Sequence, residues 1–340
     1  MLKRSAALIP ILLVALTVYA QTPAAPDPPL PKDPNQLMQL AARVNGLGSP
    51  DMKPWHLKAT YQTYDADNKP KDQGTFEEWC ASPDRYKISY SSSSFNQVQY
   101  HNGDKTWTTG DTGWVPFRLS MVQDYLVHPL RIPDPVYTQH FILVNKQLGA
   151  VSLVCADSNS SAIDKSPTSD SIFCFDPQKP VLRLERPDGN IFVLFNDTML
   201  VNNQFVDKQI LIEDSTHPIV KAEVTTLEFP SVPDPALVPP ASAISNDRPT
   251  AAPGVMAGKR ISGQDIKYPL TARQERLQGS VMLAAVIDKS GSIAELEVIS
   301  GPKDLRESTV KAIQTWKYTP YLVNGKPVDV RTVINVDYSM

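Results

Sequence analysis

The side chains best suited to general acid–base or metal chemistry in this 340-residue chain are five histidines: His56, His101, His128, His140 and His217. Their contexts are unrelated, and no HExxH, HxxxH or Cys/His pattern joins them into a metal site. The neighbouring carboxylates Glu77 and Glu78 lie in a strand-like run, where successive side chains point to opposite faces, so they cannot share one acid–base site. "SGPK" at Ser300–Lys303 satisfies SxxK, but it falls in a loop and no KTG partner motif exists. GxSxG and phosphate-binding glycine loops are absent, in keeping with only 15 glycines. The expectation is a protein with no catalytic residue, no metal and no cofactor. A hydrolase remains an alternative, although it would need a nucleophile and base that the sequence does not display.

The three cysteines point to structure. Cys155 in "AVSLVCADS" and Cys174 in "SIFCFDP" sit on two apolar, strand-like runs joined by "NSSAIDKSPTSD", a geometry suited to a disulfide across a hairpin. Cys80 in "FEEWCASP" is left as a buried free thiol with no reactive motif around it.

An oxidising compartment is consistent with that bridge. "MLKR" is a basic start, "AALIPILLVALT" is an apolar run too short to span a bilayer and interrupted by Pro10, and "VYA" before Gln21 fits signal cleavage. Residues 1–20 therefore read as a cleavable signal peptide and the protein as periplasmic; retention as an inner-membrane anchor facing the periplasm is the alternative. A net charge of -3 with 20% charged residues gives no field for nucleic acid.

Two proline-rich stretches divide the chain, residues 21–34 and 231–258. Between them, residues 35–230 open with a helix pattern, "PNQLMQLAARVNG", in which Leu37, Leu40, Ala41 and Val44 recur at helical spacing. Short aromatic and β-branched runs then predict an antiparallel meander, interrupted by a helix at "FRLSMVQDYLVHPL". The best fit is a strongly curved sheet with a helix across it, and an inner face carrying Tyr86, Tyr90, Tyr100 and Trp107. Residues 259–340 read as helix ("IKYPLTARQERLQG"), hairpin around "DKSG", amphipathic helix ("DLRESTVKAIQTW") and a final alternating strand with Val328, Val330, Thr332, Ile334 and Val336 on one face. The fold class is α+β.

That final order, with Tyr268, Pro269 and Ala272, then Gly279, Ser300-Gly301 and "WKYTP" from Trp316 through Tyr318 to Pro320, closely resembles the TonB C-terminal domain. Tyr268 and Trp316 are large apolar plugs for a small core, and Gly279 permits a sharp turn from helix into strand. The motif is mainly structural. The resemblance implies that function lies in an exposed sheet edge that recruits an extended segment of an outer-membrane TonB-dependent transporter, or of another envelope protein, by β-augmentation. The matching edge is the last strand, through Tyr338. "GTFEEWCASPDRYKISY" and "YHNGDKTWTTG" resemble the periplasmic lipoprotein carriers LolA and LolB, which implies an unclosed half-barrel lidded by helices and a groove for a lipid or lipoprotein acyl chain, with Tyr86, Tyr90, Tyr100 and Trp107 lining it. Together these imply a periplasmic adaptor without its own engine, since the first helix lacks the histidine of a working transducer. An energy transducer with an uncleaved anchor is the alternative.

Overall fold

The computed structural model describes residues 29–49, 52–130, 141–158, 171–187, 190–214, 217–230, 237–246, 248–251 and 255–340. The expected signal peptide and cleavage point, His140 and the loop between the paired cysteines lie outside the described residues.

The chain begins with α1 (Pro34–Val44). Pro34 occupies the first turn, where its missing N–H costs nothing, and the Asp33 carboxylate accepts from Gln36 N at 2.8 Å as an N-cap. Strands β1 (Trp55–Tyr64), β2 (Pro70–Ser82), β3 (Arg85–Ser92), β4 (Asn96–Asn102) and β5 (Lys105–Gly110) follow as a meander. Then come α2 (Phe117–Val127), β6 (Phe141–Leu148), β7 (Val151–Ser158), β8 (Ile172–Phe175), β9 (Leu182–Arg186), β10 (Ile191–Val201), β11 (Gln204–Asp214) and β12 (Pro218–Glu228). With the short β13 (Ile244–Ser245) they form one 13-stranded sheet, ordered β13-β5-β4-β3-β2-β1-β12-β11-β10-β9-β8-β7-β6. Every neighbouring pair in it is antiparallel, and β13 and β6 stand at its two ends, so the sheet is an unclosed half-barrel.

Alternation decides what fills its curve. Trp55, Leu57, Ala59 and Tyr61 of β1 face inward with Phe76, Ile88, Phe195, Val193 and Ile212, and meet Leu37, Met38 and Ala41 of α1 and Leu119, Val122 and Leu126 of α2. All of these are buried. Cys155 and Cys174 pair directly across β7 and β8 and are joined by a disulfide, with Leu153 and Ile172 packed around it.

The second sheet is built by β14 (Arg260–Ser262), α3 (Leu270–Gln274), β15 (Gly279–Ile287), β16 (Ile293–Ser300), α4 (Lys303–Ile313), β17 (Lys317–Tyr318), β18 (Tyr321–Val323), β19 (Lys326–Val328) and β20 (Val330–Tyr338). The main sheet has the order β16-β15-β20; β14 pairs with β17 and β18 with β19. Its core joins Ala272, Val281, Leu283, Ile287, Leu305, Ile313, Tyr318, Val330 and Tyr338. The predicted final strand is broken at Asp329, so Val328 belongs to the small hairpin with β18 and not to β20. Asp304 stands in the first turn of α4 and caps nothing with its side chain. No helix among the described residues is long and apolar enough to cross a membrane.

The described residues of the proline-rich segment 231–258 make contacts with both sheets. Leu237, Ala251 and Met256 are buried, and β13 joins the large sheet by pairing with β5.

Candidate partner-binding edge and the domain seam

β20 pairs with β15 from Val330 to Tyr338, and β15 with β16, which leaves β20 at the edge of its sheet. Backbone groups of successive strand residues point to opposite sides, so one observed bond fixes the rest. The N–H and C=O of Arg331 both face away from β15: Ala251 N donates to Arg331 O at 2.9 Å, and Arg331 N donates to Pro249 O at 3.3 Å. By the same alternation Val333, Asn335 and Asp337 turn their backbone groups away from β15. The predicted edge residues Val330, Thr332, Ile334, Val336 and Tyr338 turn theirs to β15. Their side chains are buried in the domain core, so they build the edge from behind.

The motif residues stand where a structural role requires. The Tyr268 hydroxyl donates to Leu277 O and its ring meets Tyr338 edge-on at 5.1 Å. Tyr338 in turn shares a 2.7 Å hydrogen bond with Thr309, both residues being buried. Pro269 stands at the N-cap of α3 and Ala272 is fully buried. Gly279 holds φ at +150°, and a Cβ there would come within 2.9 Å of Pro302. Trp316 donates from Nε1 to Gln264 O at 2.8 Å and packs against Tyr318, while Pro320 leads into β18.

The four rings expected to share a groove do not share a face. Tyr86 lies opposite His101 in the β3–β4 register and stacks on it at 4.2 Å, and Tyr90 is buried against Phe76 and Phe95. Tyr100 neighbours His101 and lies opposite Trp107, which puts both on the other side of the sheet. The error has a simple source: the inner positions of β4 are Gln97, Gln99 and the His101 ring, so polarity misled the alternation. Burial pushes His101 down to about 4, keeping it neutral.

A second feature, absent from the sequence reading, is the seam between the two sheets. Met282, Ala284 and Ile299 turn away from their own helices and join the core of the half-barrel. Arg118 on α2 is buried beneath them, donating to Glu297 Oε1 at 2.6 Å and to Val298 O and Ile299 O, both at 3.1 Å. Lys71 reaches the same Glu297 carboxylate, and Arg306 meets Asp67 at 2.9 Å. Arg331 donates to Val115 O at 2.6 Å and lies over Trp114 and Phe117. A cleft of about 490 Å³ remains along the seam, lined by Trp114, Phe117, Ala284, Val286 and the two arginines among others. A neighbouring cavity of about 310 Å³ holds Glu185, whose burial raises it to about 8, with Asp124 adding to the shift.

The histidines serve structure in several ways. His56 lies between Glu77 and Glu228, at 2.7 and 2.8 Å, and stacks on Trp79. His128 caps α2 and His217 meets Asp214 at 3.2 Å. No group of three or more His, Cys, Asp or Glu able to hold a metal occurs among the described residues. Ser300 is buried while Lys303 is exposed, and the Cys80 thiol is pushed up to about 12 by burial, far from a reactive thiolate.

Residues 264–340 match the Gram-negative bacterial TonB protein C-terminal family. The TonB protein of Vibrio cholerae is 30% identical over 76 residues, which cover 22% of this chain; the chain spans about a third of that curated relative's length, 31%. The TonB C-terminal match thus covers β15 to β20 with both helices and stops short of the half-barrel. For the larger sheet, a LolA superfamily protein from Nitrosomonas europaea aligns at 10% identity and a TM-score of 0.40, covering 61% of this chain and 98% of its own. A DUF1329 family protein from Desulfovibrio piger aligns at 11% identity and 0.40, with the same coverage.

Proposed function

We propose that this chain is a periplasmic adaptor whose TonB C-terminal domain captures an extended segment of an outer-membrane transporter along β20. The supporting observation is the edge itself: Val333, Asn335 and Asp337 present backbone donors and acceptors outward, in a domain that matches the TonB C-terminal family. An added strand gains main-chain hydrogen bonds there, and alternate side chains set its selectivity. Asn335 and Asp337 make this side of the strand polar, which discourages pairing with other copies. Affinity should be about micromolar or weaker, because ordering a flexible segment offsets much of the gain.

Proline tests this reading by parity. Asn335→Pro removes an outward donor and should abolish binding of transporter N-terminal peptides in calorimetry, with the circular dichroism spectrum retained. Ile334→Pro removes a donor to β15 and should unfold the domain. Normal binding by a folded Asn335→Pro protein would refute capture at this edge.

For a lipid-like ligand, the seam supports the reading better than the four rings do. The cleft of about 490 Å³ at the seam is walled by Trp114, Phe117, Ala284 and Val286, and lies in the range of roughly 300–1,000 Å³ usual for small-molecule sites. An acyl chain would lie there beside Arg118 and Arg331. Saturable uptake of a fluorescent fatty acid, lost on Ala284→Trp, is expected; uptake unchanged by that substitution would exclude the cleft.

A further inference from the structure

Ile244 to Ala251 bridge two sheet edges. Ile244 and Ser245 pair with Thr108 and Trp107 of β5, and Asn246 N donates to Thr106 O at 2.8 Å. A few residues later Thr250 forms a parallel bridge with Arg331, through the two bonds at Pro249 and Ala251. Arg248 lies over the Trp114 ring at 5.6 Å, the same ring and distance as Arg331. One stretch of chain therefore pairs with β5 of the half-barrel and with the start of β20 in the second sheet.

An added strand must run about 4.8 Å from β20. At Arg331 that track is taken. We propose that residues 249–251 are a built-in competitor for the outer side of β20, which a partner strand displaces in order to pair with β20 from Arg331 onward. The inference rests on the strand-capture reading above and adds a regulatory step to it.

The strap is built to yield. Pro249 has no N–H to give, the Arg331 to Pro249 bond is long at 3.3 Å, and Ile244 and Ser245 are exposed. It is anchored at Ala251, 4% exposed and packed in the core of the second sheet. Displacement would remove the two backbone bonds at Arg331 and the Arg248 contact with Trp114, so partner binding would loosen the strap's link between the two sheets. With each of the two bonds contributing about 1 kcal/mol net, release of the strap should strengthen partner binding about thirtyfold.

The test uses the full chain, wild type and Ala251→Pro, with two probes: a peptide of residues 244–251 and extended transporter N-terminal peptides. The strap peptide should shift the amides of Arg331 and Val333 in Ala251→Pro about thirtyfold more tightly than in wild type. In wild type, a saturating transporter peptide should abolish hydrogen-exchange protection of the Ala251 amide. Equal strap-peptide affinity for both proteins, or an Ala251 amide that stays protected with transporter peptide bound, overturns the proposal. If transporter peptides bind neither protein while the strap peptide distinguishes the two, the transporter reading falls and the strap stands as a displaceable edge cover. Should Ala251→Pro not fold, wild type decides: the Ala251 amide must exchange faster than that of Leu283 in β15, and equal protection overturns the competitor.

Discussion

The two sheets meet the same requirement, an apolar face that must leave water, in opposite ways. The half-barrel is long and folds its own helices α1 and α2 into its curve, leaving its outer face to polar groups such as the Glu77–His56–Glu228 cluster. The second sheet has only three main strands and buries both faces, one beneath α3 and α4 and the other against α2 of its neighbour. Adjacent residues of β15 record the difference: Leu283 belongs to one core and Met282 and Ala284 to the other. A small sheet sandwiched between its own helices and another domain has its edge as the surface left for recognition.

That contrast can be broken at graded cost. Leu283→Ala should cost about 3 kcal/mol and act on the second sheet first, because it empties a fully buried site in the smaller core. Urea unfolding followed at Trp316 and at a half-barrel tryptophan would separate the two. Reducing Cys155–Cys174, which encloses a sequence separation of 19, should cost a similar ~3 kcal/mol but act on the half-barrel alone, with the second sheet's transition unmoved. Arg118→Met should cost about 2 kcal/mol by leaving Val298 O, Ile299 O and Glu297 without their shared donor, and should lower both transitions as the seam loosens.

The smallest effect is a pH slope. The native protein keeps a proton on Glu185 up to about pH 8, whereas the unfolded chain releases it near the ordinary carboxylate value of 4.5. The native state therefore holds more protons between these limits, and stability falls as pH rises through that window. Asp207, buried and raised to about 7, acts with the same sign. Glu185→Gln should flatten the slope between pH 7 and 8, where Asp207 no longer contributes much, and leave the slope below pH 7 shallower but present.

The legibility of the chain follows the same division. The second sheet was readable because Tyr268, Gly279 and Trp316 stand at set positions in a small core, and because Val330 to Tyr338 alternate cleanly. The half-barrel was readable as a meander from its short aromatic runs. Its inner face was not, since Gln97, Gln99 and His101 share the side of Tyr86 and Tyr90, with Gln99 and His101 in a cavity beside Arg331, and their polarity hid the side they occupy. A signal for the seam was present in "SVMLAAVI": a continuous apolar run marks a strand covered on both faces, one more than a hairpin under two helices needs. The strap was hidden by its composition, because three residues of edge pairing among many prolines leave no periodic pattern.

The central claim is that the β20 edge takes up a strand. Titrating isotope-labelled full-length protein with extended transporter N-terminal peptides, and following backbone amides, tests it most directly. The account predicts saturable shifts at Val333, Asn335 and Asp337, whose donors face outward, with little change at Ile334 and Val336, whose donors stay bonded to β15. Saturation with no movement at those three outward amides, or shifts confined to the half-barrel, would contradict it.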